Sequence, residues 1–175
     1  MDYFIMRQDH RILYMPQLML PKSLQLDNIT REQIESFQKT DIIYVKENQD
    51  NEYPGYIEKS IKLISNRIMR IMSKYQQNII FKPVILIEKE NNRQVEYHFM
   101  VPPEIECGEE TSIRDAVGNV KEFILDEKKV GSFRIFLARD YGNNLLVRLD
   151  VAESILRREV YGVSFEKVNM TRKGD

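Results

Sequence analysis

The stretch Glu104-Ile105-Glu106-Cys107-Gly108-Glu109-Glu110 places four carboxylates within seven residues. Oxygen atoms at that density could hold a hard cation or face a basic protein surface. The spacing matches no EF-hand loop, and a carboxylate acid–base pair would also need a cleft that drives two pKa values apart. Charge runs of this kind ordinarily do no more than keep a loop solvated. Cys107, inside the run, is a nucleophile only where a histidine stands beside it in the fold, and His10 and His98 are the two available. Neither lies in a local catalytic signature. Cysteine is among the most often buried residue types, so the expectation is a packed, inert thiol.

Three cations, Arg67, Arg70 and Lys74, recur at steps of three and four and could grip phosphate or a carboxylate-rich partner. They fall away from the apolar positions of the same segment and have no interleaved aromatic residues, which is the pattern of a solvent face. The run Ile12 to Pro21 is dense in large apolar side chains but broken by Pro16 and Pro21. It reads as irregular chain covering the core, with part of it available as a docking patch or a homo-oligomer contact. Phosphate-cradling glycine loops, nucleophile elbows and zinc-binding His-Glu-x-x-His motifs are absent from the sequence, so an enzyme is the less favoured class.

The bulk numbers narrow the field further. A chain of 175 residues with 42% hydrophobic composition is expected to form one domain, 1–170, with a frayed tail over 171–175. Its 26 basic and 27 acidic residues leave a formal charge of −1, which offers no global field for nucleic acid or an anionic membrane. The single cysteine supplies neither an internal disulfide nor a Cys-x-x-Cys zinc site. No signal-peptide start or membrane-spanning run is found, so a cytoplasmic location is expected, and no cofactor is.

The elements that must position these residues form an α+β pattern with a mixed or mostly antiparallel sheet. Tyr3 to Met6 and Ile12 to Met15 read as a hairpin or two short strands. Thr30 and Gln33 have capping-box spacing for a short helix over about 31–38, and residues 41–45 read as a strand. Ile57, Ile61, Ile64, Ile68, Ile71, Met72 and Tyr75 form one stripe at a 3.6-residue period, which predicts a long amphipathic helix over about 57–77. Residues 79–87 and 95–101 read as antiparallel strands around an Asn-rich turn, followed by an irregular acidic loop to Gly118. Strands are then expected over 120–125, 133–138 and 144–149. A helix over 150–160 capped by Asp150 with Glu153 follows, then a last strand over 163–168.

The order of features in the C-terminal half is more specific. Ile105-Glu106-Cys107-Gly108-Glu109 and Ser112 precede Phe123-Ile124-Leu125-Asp126-Glu127-Lys128-Lys129-Val130 and Ile135-Phe136. Leu145-Leu146-Val147, a helix and Gly162-Val163-Ser164-Phe165 complete the series, and Phe81-Lys82-Pro83-Val84 fits the middle. This resembles the immunity proteins of bacterial polymorphic toxin systems, a family catalogued as a domain of unknown function with an Asp-Cys-Leu-Asp-x-x-x-Ser-like loop. The similarity runs over 57–168. Glu106 and Glu109 stand where the family tends to have aspartate, and Gly108 where it has leucine.

The resemblance implies neutralisation of a cognate toxin protein by direct binding and occlusion, with no catalytic residues to carry over. Glu104, Glu106, Glu109 and Glu110 are the expected partner contacts, because a toxin that acts on nucleic acid would present a basic cleft. The alternative is an enzyme, or a small-ligand or metal-binding protein, that uses the same loop around residues 104–110.

Overall fold

The fold is known from a computed structural model and is described for residues 1–20, 41–58, 61–109, 112–114 and 120–171. It is α+β, with strands far outnumbering helices and both parallel and antiparallel pairs in its sheets. The N-terminal strand β1 (Tyr3–Gln8) is followed by β2 (Leu18–Met19), β3 (Asp41–Val45), β4 (Tyr56–Ile57) and β5 (Leu63–Ser65). Helix α1 (Asn66–Tyr75) leads into the long hairpin β6 (Ile80–Glu88) and β7 (Arg93–Val101). Short strands β8 (Glu104–Ile105), β9 (Ile113–Arg114), β10 (Val120–Glu122) and β11 (Ile124–Asp126) come next, then the single turn α2 (Glu127–Val130). The chain ends with β12 (Ile135–Ala138), β13 (Asn144–Arg148), α3 (Leu149–Leu156), β14 (Val163–Lys167) and β15 (Asn169–Thr171).

One sheet has the order β2-β3-β6-β7-β5-β4 and a second the order β14-β1-β13-β12-β8. Two small pairs, antiparallel β9–β10 and parallel β11–β15, stand beside them. The β6–β7 hairpin runs in register from Ile80↔Val101 to Glu88↔Arg93. Its turn is Asn-rich because Asn92 sits at φ 49°, a left-handed conformation that asparagine tolerates better than most residues. At the hairpin's end Glu88 is buried. Burial alone would raise its pKa, but hydrogen bonds from Tyr53, Asn51 and Asn91 outweigh that and lower it.

The long helix expected over 57–77 is the main correction. Tyr56–Ile57 and Leu63–Ser65 are antiparallel strands, and the helix begins only at Asn66, where the Ser65 hydroxyl accepts from the Ile68 N–H. Ile57, Ile61 and Ile64 fit a helical stripe by spacing. They are also β-branched, and β5 finds an open edge on β7, with Leu63 opposite Phe99, so sheet pairing overrides the helical period. The stripe survives in α1 as buried Ile68, Ile71 and Met72.

Other boundaries shift for similar reasons. Residues 12–15 form no strand: β1 is a central strand that pairs with β13 and β14, its neighbours coming from the far end of the chain. The chain turns after β1 at Asp9, whose carboxylate accepts from the Arg11 guanidinium and backbone N–H, contacts that hold its pKa down to about 2. Asp150 does not cap α3. Arg148 occupies that position without a side-chain cap, and Asp150 sits in the first turn, where it accepts from the Arg148 guanidinium at 2.9 and 2.5 Å. The helix is correspondingly Leu149–Leu156 rather than 150–160. The acidic stretch after Pro103 is more regular than expected, with β8 and β9 inside it. The helix proposed over 31–38, with Thr30 and Gln33, lies outside the described residues, as do 172–175, whereas Thr171 closes β15. Among the described residues no helix is long and apolar enough to cross a membrane.

Three apolar clusters fill the interior. The largest joins Ile68, Ile71 and Met72 of α1 and Val151, Ala152 and Ile155 of α3 to Met6, Ile135, Leu145 and Val147 of one sheet and Ile64 and Met100 of the other. Gly162, at φ +75°, carries the chain past this layer. A β-carbon there would meet Ile12 Cδ1 at 2.7 Å and the Pro54 Cα at 2.9 Å.

Ile68→Ala is expected to cost about 2–5 kcal/mol in chemical denaturation, because the side chain is fully buried between both helices and both sheets. Leu156→Ala, at an exposed position on α3, is expected to stay within about 0.5 kcal/mol of the parent. Equal losses would contradict the placement of this core.

Candidate functional site

Strand β8 pairs in parallel with β12, Glu104 opposite Leu137 and Ile105 opposite Ala138. The alternation of extended chain continues beyond the strand, so Glu104 and Glu106 point outward while Cys107 turns inward. Cys107 packs in the cluster of Tyr3, Ile5, Phe123, Leu125, Phe136 and Leu146. The carboxylates are therefore presented on one face because the residues between them are needed by the core.

The backbone that carries them is fixed from three sides. The Asp140 carboxylate, in the turn between β12 and β13, accepts from the Cys107 N–H at 3.2 Å and the Gly108 N–H at 2.6 Å. Lys129, on α2, donates to the Gly108 carbonyl at 2.7 Å. The Asp126 N–H donates to the Cys107 carbonyl and the Glu109 N–H to the Ile124 carbonyl, both at 2.8 Å. The Ser112 hydroxyl accepts from the Ile124 N–H at 3.2 Å, and the Ser112 N–H reaches back to the Glu109 carbonyl. Gly108 is favoured by close approach. A β-carbon would come within 2.7 Å of Asp140 Oδ2 and 2.8 Å of Phe123 Cε2.

Arg139 partly balances the acidic edge. Its guanidinium lies 3.5 Å from a Glu104 oxygen and 4.0 Å from a Glu106 oxygen, with Glu106 70% exposed. Exposed pairs at these distances contribute at most about 1 kcal/mol, so neither carboxylate is firmly held by Arg139. Glu109 is half-buried, and Glu110 lies outside the described residues. Asp140, Lys129 and Arg139 come from elements distant in sequence, and no local motif marks them.

Structure separates Cys107 from the nucleophile reading. The thiol is buried and its pKa is pushed up to about 12, first by burial and then by the charge of Asp140, with Lys129 pulling weakly the other way. No histidine contributes. His98 is buried on β7 in the other sheet, with Nε2 3.8 Å from Glu96, and His10 is exposed after β1. Among the described residues no group of three or more His, Cys, Asp or Glu is placed to hold a metal ion.

The two remaining sequence candidates divide. In the Met-rich run Ile12 is buried, and Met15, Leu18 and Leu20 pack against the core of the larger sheet, while Leu13 and Met19 are exposed. Arg67, Arg70 and Lys74 lie on the outer side of α1, and around them opens a hollow that Arg158 completes from beyond α3. No protein-family model matches the chain, and no curated protein matches it.

Cys107 is expected to resist thiol reagents in the native protein and to react fully once unfolded, since both access and thiolate fraction are low. Native reactivity comparable to that of the denatured chain would contradict the packing. Burial lowers the His98 pKa while Glu96 raises it, and the net shift is downward. A base depressed in this way stabilises the fold above its unfolded value of about 6.5 and loses that contribution as pH falls below it. The unfolding midpoint should therefore drop between about pH 7.5 and pH 5, and drop less in His98→Gln.

Proposed function

We propose that the chain is an immunity-type protein that binds a cognate toxin in the cytoplasm of the cell that makes both and covers the surface the toxin needs. The contact edge is formed by Glu104, Glu106 and Glu109, with Glu110 adjacent in the chain. The observation that carries this reading is the fixed backbone that presents exposed Glu104 and Glu106 and half-buried Glu109: β8 is paired to β12, and Asp140, Lys129, Asp126 and Ile124 hold residues 107–109 in place. A charged edge that is ordered before binding loses little conformational entropy on docking, so more of its attraction for a basic cleft is kept as affinity. The resemblance over 57–168 supplies the partner class, and an interface of about 1,200–2,000 Å² would suffice.

Co-expression with the product of a neighbouring toxin-like reading frame tests the proposal. The parent chain should restore growth, and Glu106→Lys with Glu109→Lys should abolish rescue while leaving the melting temperature near that of the parent. Full rescue by that folded double variant would remove the assigned edge.

A further inference from the structure

The face opposite in charge to that edge has a shape of its own. Asn66, Arg67, Arg70, Ile71 and Lys74 of α1 and Arg158 beyond α3 surround an open hollow of 430 Å³. That volume is in the range of small-ligand sites, roughly 300–1,000 Å³. All four charged residues lining it are cations, and no carboxylate is among its lining residues. Arg67, Arg70 and Lys74 make no ion pair with any described residue. In a chain whose acidic and basic residues otherwise nearly cancel, four cations gathered without a counter-charge repel one another and favour an anion between them.

The arrangement is also partly fixed. Arg158 NH1 donates at 2.7 Å to both the carbonyl and the hydroxyl of Ser154, which orients the guanidinium and leaves its other nitrogens free. Glu153, on the same helix, is occupied by Arg157 at 3.0 Å and does not neutralise the hollow. α1 is pinned by Ile68, Ile71 and Met72, so the backbone positions from which residues 67, 70 and 74 project keep one spacing. From Arg67 to Lys74 the helix rises about 10 Å, further than one tetrahedral anion can bridge and suited to a short chain of them. No aromatic ring lines the hollow, so nothing there would stack on a nucleobase.

We propose that this hollow binds a polyphosphate chain of two or more phosphoryl groups, whether inorganic or the tail of a nucleotide, through the phosphates alone. Arg70 and Arg158 clamp it in bidentate fashion, and Arg67 and Lys74 hold its ends. The site is independent of the toxin-binding edge, so either assignment can fail without the other.

Calorimetric titration of the full chain with sodium tripolyphosphate, at fixed ionic strength, tests it. Saturable binding is expected, with ATP no tighter than tripolyphosphate and orthophosphate weaker by about tenfold or more. Arg70→Gln and Arg158→Gln, both at exposed positions, should each weaken tripolyphosphate by about tenfold. A melting-temperature rise with tripolyphosphate, absent with sodium chloride of equal ionic strength, should accompany binding. No saturable binding, tighter binding of ATP than of tripolyphosphate, binding of single-stranded DNA alone, or unchanged affinity in both arginine variants would each overturn the proposal.

Discussion

Two short helices share one apolar layer, and most of what this protein presents to its surroundings follows from that. Ile68, Ile71 and Met72 of α1 and Val151, Ala152 and Ile155 of α3 are buried in the same cluster, together with residues from both large sheets. Neither helix is long enough to be stable alone, since isolated helices under about 12–15 residues are marginal in water. Tertiary burial holds them. Once the apolar sides are committed inward, the remaining side of α1 must be its arginines and lysine, and Arg158 is delivered next to them by the end of α3.

The acidic edge depends on a second, smaller cluster in the same way. Cys107 is pulled inward among Phe123, Leu125 and Phe136, and strand alternation then forces Glu104 and Glu106 outward. Asp140 makes this arrangement specific by accepting from two consecutive backbone N–H groups. The molecule thus carries opposite charges at two built places despite a formal charge of −1.

How far the sequence discloses this depends on the range of the forces involved. Residues 41–45, 80–88 and 93–101 are legible because β-branched and aromatic runs between turn residues reflect local preference, and a central hairpin leaves little alternative. The segment 57–65 is misread as helix because Ile57, Ile61 and Ile64 satisfy two periodicities, and the free edge of β7 that decides between them lies more than thirty residues on. Cys107 is legible as a buried thiol from residue type alone, whereas the clamp at Asp140 is not, because a lone aspartate in a turn carries no mark of its partner. Arg67, Arg70 and Lys74 read as a solvent face because the fourth cation comes from the turn after α3 and only folding joins them.

In the function proposed above, an ordered acidic edge draws this protein onto a basic partner surface. Stopped-flow association with the proposed toxin partner, followed across a range of salt concentrations, tests that most directly. Electrostatic attraction predicts a rate that falls steeply as salt is added, and a much flatter dependence when Glu104, Glu106 and Glu109 are replaced by glutamine. An association rate indifferent to salt in the parent chain, or an identical salt dependence in the triple variant, would contradict it.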